Sequence, residues 1–152
     1  GQVLRDERRA VEIAPLSAAK VVDYRDADLL GQAERASTVA VFELQAEGEP
    51  AARSIVYFAP AKDIAWKDAG LRADVRRDGD GYLVEVAAAS LARAVWIDFG
   101  ALDAGLSDNA LTLLPGERAR LRVTSAAGED ALRAALTIRS LADAVRATNT
   151  TP

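Results

Sequence analysis

Apolar and polar residues alternate along most of this chain in short runs, and a turn signal breaks each run. Arg9 to Ile13 (RAVEI) places Val11 and Ile13 on one side, as a short strand does. Pro15 ends that run, Leu-Ser-Ala-Ala reads as a turn, and a second apolar run follows at Val21, Val22 and Tyr24. Arg25 to Gly31 (RDADLLG) reads as a single helical turn closed by its glycine. Ser37 to Leu44 (STVAVFEL) mixes β-branched and aromatic residues and predicts the best strand of the first half. QAEGEP is a turn, Ser54 to Phe58 (SIVYF) another strand, and APAKD a connector that marks the expected domain boundary.

The second half repeats the rhythm. Leu71, Ala73 and Val75 alternate with Arg72 and Asp74, and RRDGDG predicts a hairpin loop, because Asp-Gly pairs accept the positive φ of tight turns. Tyr82, Val84 and Val86 share one face of the returning strand. In AVWIDF, Val95, Ile97 and Phe99 oppose Trp96 and Asp98. From Ala119 to Thr124 the alternation is strict: Ala119, Leu121 and Val123 face in, while Arg120, Arg122 and Thr124 face out. Short strands divided by turns at this spacing predict an all-β chain of sandwich domains.

Two segments pull the other way. AAASLARA (87–94) and EDALRAALTIRSLADAVRA (129–147) have high helix propensity, and Leu132, Ala135 and Leu136 would share a helical face. ALTIRS also alternates, with Leu136 and Ile138 on one side, and a sandwich needs a closing strand. The expectation here is therefore a strand, with a single long helix over 129–147 as the outcome that would overturn it.

Composition narrows the chemistry. The chain has 152 residues, enough for one ordinary domain or two small ones. Half of it is apolar, yet only 5% is aromatic, so the cores are expected to be thin and aliphatic. Cys, His and Met are all absent. Without Cys and His there is no ordinary zinc site, thiol nucleophile or Ser-His dyad, and no metal or cofactor is expected. The net charge is −4 with both signs mixed, no basic stripe stands out, and no apolar run reaches the roughly 20 residues of a membrane span. Neither nucleic acid nor membrane is an expected partner. With no Met and an opening Gly-Gln-Val-Leu, the chain reads as a piece of something longer.

LSDNALTLLPGERARLRVTS (106–125) resembles the signature of the C-terminal immunoglobulin-like domain of β-mannosidases in glycoside hydrolase family two. There a Ser-Asp-Asn is followed by an aromatic, a Phe-Asp-Leu-Leu-Pro-Gly-Glu block and a Val/Thr-rich strand. Ser107, Asp108, Asn109, Leu113, Leu114, Pro115, Gly116 and Glu117 match; Ala110, Leu111 and Thr112 replace the aromatic, the Phe and the Asp. Lys62, Asp63 and Ile64 are similar to the Lys-Asp-Leu that introduces that last domain, and SLARAVWIDF resembles the segment leading into the loop. The resemblance implies tandem immunoglobulin-like β-sandwiches, the first incomplete. Residues 1–61 would be the later part of an Ig/CBM-like domain, 62–146 a C-terminal sandwich and 147–152 a flexible tail. In the motif, Asp and Asn would hold a corner by bonding backbone N–H groups. Leu111, Leu113 or Leu114 would plug the end of the sandwich, and Pro115-Gly116 would make a tight turn. On this reading the chain halts twice because it changes sheets twice.

The function implied is indirect. Retaining glycosidases place two carboxylates across the sugar. Asp98 with Asp108, or Glu85 with Glu117, can be paired on paper, but charges at strand edges and turns are ordinarily solvated, and in the family both catalytic glutamates lie on a separate (β/α)₈ barrel. No repeated βα units occur here. The expectation is a non-catalytic accessory region that braces the barrel and other domains of a β-mannosidase. The parent would release terminal β-linked mannose. One alternative is a carbohydrate-binding module that takes mannosides on Trp66 or Trp96; the plainer reading has Trp66 sealing a domain joint and Trp96 packing on neighbours. A second alternative is an unrelated adhesion or scaffold sandwich. The compartment stays open, a periplasmic or secreted bacterial home being the working expectation.

Overall fold

Strand pairing and burial divide the chain, seen in a computed structural model, into two units: Gln2–Ala65, and the residues from Trp66 onward. Residues 1–149 are described, with side chains to 146; the rest of the expected tail, 150–152, lies outside the described residues.

The first unit has little core. Strands β1 (Val39–Leu44) and β2 (Ala52–Tyr57) form an antiparallel hairpin in which Val41 stands opposite Ile55. Helix α1 (Asp26–Leu30) starts where Arg25 grips Asp28 twice: the Arg25 N–H donates to Asp28 Oδ2 at 3.2 Å and Arg25 Nε donates to the same oxygen at 3.0 Å. Arg35 Nε donates to the Phe58 carbonyl at 2.9 Å, and Tyr24 stacks on Phe42 with centroids 6.5 Å apart. Only Leu30 and Phe58 are buried apolar residues here. The strand expected at 9–13 does not form, and the apolar run at 21–24 likewise joins no ladder. Their alternation is present, but β structure also needs a partner for its backbone groups, and Val11 and Ile13 remain exposed.

The second unit is a sandwich. Strands β3 (Arg72–Asp78), β4 (Gly81–Ala87), β5 (Ala92–Asp98), β6 (Ala104–Leu106), β7 (Leu111–Leu113), β8 (Arg118–Ser125) and β9 (Thr137–Arg139) form two antiparallel sheets, ordered β3-β4-β8-β6 and β7-β5-β9. The first order is that of an immunoglobulin A-B-E-D sheet, and β5 with β9 occupies the C-F pair of the second. The β3–β4 turn is tighter than the sequence suggested. The strands run to Asp78 and resume at Gly81, so Gly79, at φ +60°, leads a two-residue turn of the II′ kind. Val75, Val84, Val86, Val95, Ile97, Val123 and Leu132 are fully buried between the sheets. Each contributes roughly 1.5–3 kcal/mol of transfer free energy. Phe99 and Tyr82 join them, so the core is aliphatic with two aromatics.

Segment 129–149 is neither one strand nor one helix. It folds as helix α2 (Glu129–Ala135), strand β9 and helix α3 (Leu141–Asn149). ALTIRS supplies the closing strand, as its alternation predicts, and the flanking Ala-rich runs follow their propensity. Ser140 separates β9 from α3: its N–H and Oγ both donate to Asp143 Oδ2, at 2.8 and 2.9 Å. AAASLARA, the other helix-prone run, is a bend entering β5.

Candidate functional site

The best-defined local construction is the passage between the two sheets at Ser107-Asp108-Asn109. Strand β6 pairs with β8 as far as Leu106 opposite Val123. Ser107 then extends that ladder: its N–H donates to the Arg122 carbonyl at 2.9 Å, and the Arg122 N–H donates to its Oγ at 3.0 Å. Two residues later the chain belongs to the other sheet. Asn109 Nδ2 donates to the Ile97 carbonyl and the Ile97 N–H donates to Asn109 Oδ1, both at 2.9 Å. The carboxamide thus stands where the next β7 backbone unit would pair with β5. Between them, Asp108 Oδ1 accepts the Asn109 N–H at 2.7 Å. Asn109 Oδ1 also accepts the Ala110 N–H at 3.0 Å, and Ala110 holds φ +56°, a conformation that costs an alanine on the order of 1 kcal/mol.

The second halt is the turn Leu114–Glu117. Pro115 precedes Gly116 at φ +85°, the type II arrangement, and the Glu117 N–H donates to the Leu114 carbonyl at 3.0 Å. Glu117 Oε2 accepts the Leu114 N–H at 2.8 Å, which closes the turn from its side chain. Gly116 and Ala88 tie this turn to the end of β4: the Gly116 N–H donates to the Ala88 carbonyl at 2.8 Å. Leu113 is buried, Leu111 packs against the core and Leu114 is half-buried. The motif residues therefore lie together as construction around the sheet crossing.

The carboxylates considered for catalysis are each engaged locally. Glu85, on the outer face of β4, accepts from Arg118 at 2.7 Å and Arg120 at 3.0 Å, and those bonds, Arg120's first, lower its pKa. Asp98 accepts the Gly100 N–H at 3.2 Å, Asp108 serves the corner and Glu117 the turn. Among the described residues no cluster of Asp and Glu could hold a metal ion, and no helix is long and apolar enough to cross a membrane.

The two tryptophans sit apart in kind. Trp96 points outward from β5, opposite Arg139 on β9, and is 55% exposed. Trp66 is half-buried at the start of the second unit.

Sequence reading missed a charged face. The outward residues of β3 and β8 flank β4, so Arg72, Arg76, Arg118, Arg120 and Arg122 gather on one sheet surface. A shallow depression of about 420 Å³ lies over it. The signal was legible in β8 as arginine at every second position, and in β3 as Arg72 and Arg76 four apart, but only the strand order brings the two rows onto one sheet.

Comparison with known proteins bears on both units. An Ig-fold domain family of the mannosidase type matches residues 66–144, and the mannosidase Ig/CBM-like domain family matches residues 1–63. No curated protein matches the chain. The A-B-E-D and C-F strand order of the second unit is an immunoglobulin arrangement, in keeping with the Ig-fold match, and the two matches together span nearly the whole chain. The chain belongs to the immunoglobulin-like domain families of mannosidases, domains found in glycoside hydrolase family 2 β-mannosidases.

Proposed function

We propose that this chain is a non-catalytic accessory region of a retaining β-mannosidase and that it braces the catalytic barrel of the parent enzyme. The observation that carries this reading is the pair of family matches, 1–63 and 66–144, both to mannosidase-associated domains. It is supported by the carboxylates themselves: Glu85, Asp98, Asp108 and Glu117 hold local structure and leave no facing pair free for sugar chemistry. The parent enzyme would hydrolyse terminal β-D-mannose, with this region contributing rigidity and buried area. The test compares full-length parent, parent lacking this region and this chain alone, each with p-nitrophenyl β-mannoside. Hydrolysis by the chain alone refutes the reading. So does a truncated parent with the same kcat and thermal midpoint as the full-length enzyme.

A second reading is favoured by one observation, the exposure of Trp96. A mannoside could stack on its outer ring face. Titration with mannobiose or mannan oligosaccharides, read by tryptophan fluorescence, decides: a saturable shift that Trp96→Ala abolishes establishes sugar binding, and a flat trace removes it.

A further inference from the structure

We propose that the outer face of the β3-β4-β8 sheet docks on a carboxylate-bearing surface of another protein domain, and that this is the face by which the region braces its parent. The inference rests on the accessory reading above and names the surface through which it acts.

The outward positions of the three strands carry five arginines, Arg72 and Arg76 from β3 and Arg118, Arg120 and Arg122 from β8. They are set against Asp74, Asp78 and Glu85, so the face is positive on a chain whose net charge is −4. The internal pairing is uneven. Glu85 takes both Arg118 and Arg120, and Asp74 is reached by Arg133 of α2 at 3.5 Å. The side chains of Arg72, Arg76 and Arg122 have no hydrogen bond or ion pair among the described residues.

Register sets Arg76 and Arg122 on either side of one apolar residue and Arg72 beside another, with the Asp74–Glu85–Arg120 row between the two. Leu83 stands opposite Arg76 on one side and Arg122 on the other, and Ala87 stands between Arg72 and Arg118. With strands about 4.8 Å apart, Arg76 and Arg122 flank the leucine at roughly 10 Å from each other. Like charges at that distance, unpartnered around a half-buried leucine, are compensated when carboxylates approach from outside.

The chemistry of the partner follows from three features. First, every cation on the face is arginine, whose planar fork binds carboxylate in bidentate fashion. Second, Asp74 and Glu85 lie inside the positive patch and would repel a continuous polyanion, so the face suits a mixed protein surface better than a nucleic acid. Third, no aromatic side chain stands among its outward residues, so a sugar finds no ring to stack on. Arginine is also among the residues enriched at protein–protein interfaces.

The test is arginine footprinting. Full-length parent and this chain alone are labelled with phenylglyoxal, and modification is read by mass spectrometry. Arg72, Arg76 and Arg122 should label at least fivefold more slowly in the parent, while Arg139, on the other sheet, labels equally in both. The triple variant Arg72→Glu, Arg76→Glu, Arg122→Glu should leave the thermal midpoint of this chain unchanged and lower that of the parent. If the three arginines label equally in both proteins while other arginines of this chain are protected, the inference fails and the bracing reading stands. If no arginine of the chain is protected, both fail. Protection that disappears on nuclease treatment also overturns the proposal, since the occupant would then be nucleic acid.

Discussion

Asn109 offers the sharpest test of how the two sheets are joined. Asn109→Ala removes both bonds to Ile97, each 2.9 Å long, and leaves a backbone N–H and C=O of β5 without partners. An unsatisfied buried group costs about 1–3 kcal/mol. Asn109 is half-buried, so water reaches part of the gap and the lower part of that range applies to each group. The expected loss is about 2–3 kcal/mol, or roughly 10–20 °C in the midpoint of a domain of this size. Asp108→Ala, which removes one bond at an exposed site, should cost no more than about 1 kcal/mol. Asn109→Asp sharpens the test further. The carboxylate still accepts the Ile97 N–H but sets a second oxygen against the Ile97 carbonyl, where Nδ2 now donates. That contact and partial burial favour the protonated acid, so the folded-state pKa lies above the unfolded value. A group of that sign lends stability that is complete below its unfolded pKa and lost as pH rises through the folded one. The deficit of Asn109→Asp relative to the parent sequence should therefore shrink as pH falls from 7 to 4. Urea melts across that range measure it. A loss under about 0.5 kcal/mol for Asn109→Ala, or a pH-independent deficit for Asn109→Asp, would show that the carboxamide is not part of the ladder.

Three further outcomes follow from the same structure. Leu132, fully buried on α2, should cost about 3 kcal/mol on truncation to alanine in denaturant melts; a loss below about 1 kcal/mol would make the helix a mere appendage. Glu7, whose pKa is lowered to about 2 by hydrogen bonds from Arg9 and then from Arg5 and Tyr24, has a depressed folded-state value. Its contribution is present above the ordinary carboxylate pKa and lost as pH falls through about 2; its NMR titration should give that midpoint, and an ordinary one would dissolve the cluster. In native-state hydrogen exchange, amides of β4, β5 and β8 should outlast those of β1 and β2, because the first unit buries only Leu30 and Phe58 among its apolar side chains. Equal protection would mean that the hairpin gains a partner in solution.

Much of the second unit was legible because each of its main strands has one wet face. Tyr82, Val84 and Val86 against Leu83 and Glu85 read directly as in and out, as does Leu121 between Arg120 and Arg122. The corner was legible as a motif, but not the way it works. Sequence places Ser107 and Asn109 two apart; only the sheet order shows that one completes the β8 ladder and the other the β5 ladder. Val11 and Ile13 misled for the opposite reason. Alternation marks a segment able to pair, whereas a strand exists only where a neighbour supplies the second row of hydrogen bonds.

The helix α2 shows why local propensity and an all-β architecture do not conflict here. Strand β3 lies at the end of its sheet, and an open edge exposes unpaired backbone groups. Two of those groups are met by side chains of α2: the Arg77 N–H donates to Glu129 Oε2 at 2.8 Å, and Arg133 Nη2 donates to the Val75 carbonyl at 2.8 Å. Glu129 and Arg133 are four residues apart and also pair with each other at 2.7 Å, so one helical turn presents an acceptor and a donor at the spacing that a strand edge requires. Leu132, between them, enters the core. A strand in this place would have covered the edge but left a new edge beyond it. The helix covers it and satisfies its own backbone internally. That is why the sheet ends at β3 while its outward arginines remain open, available to a partner that comes to the face and not to the edge.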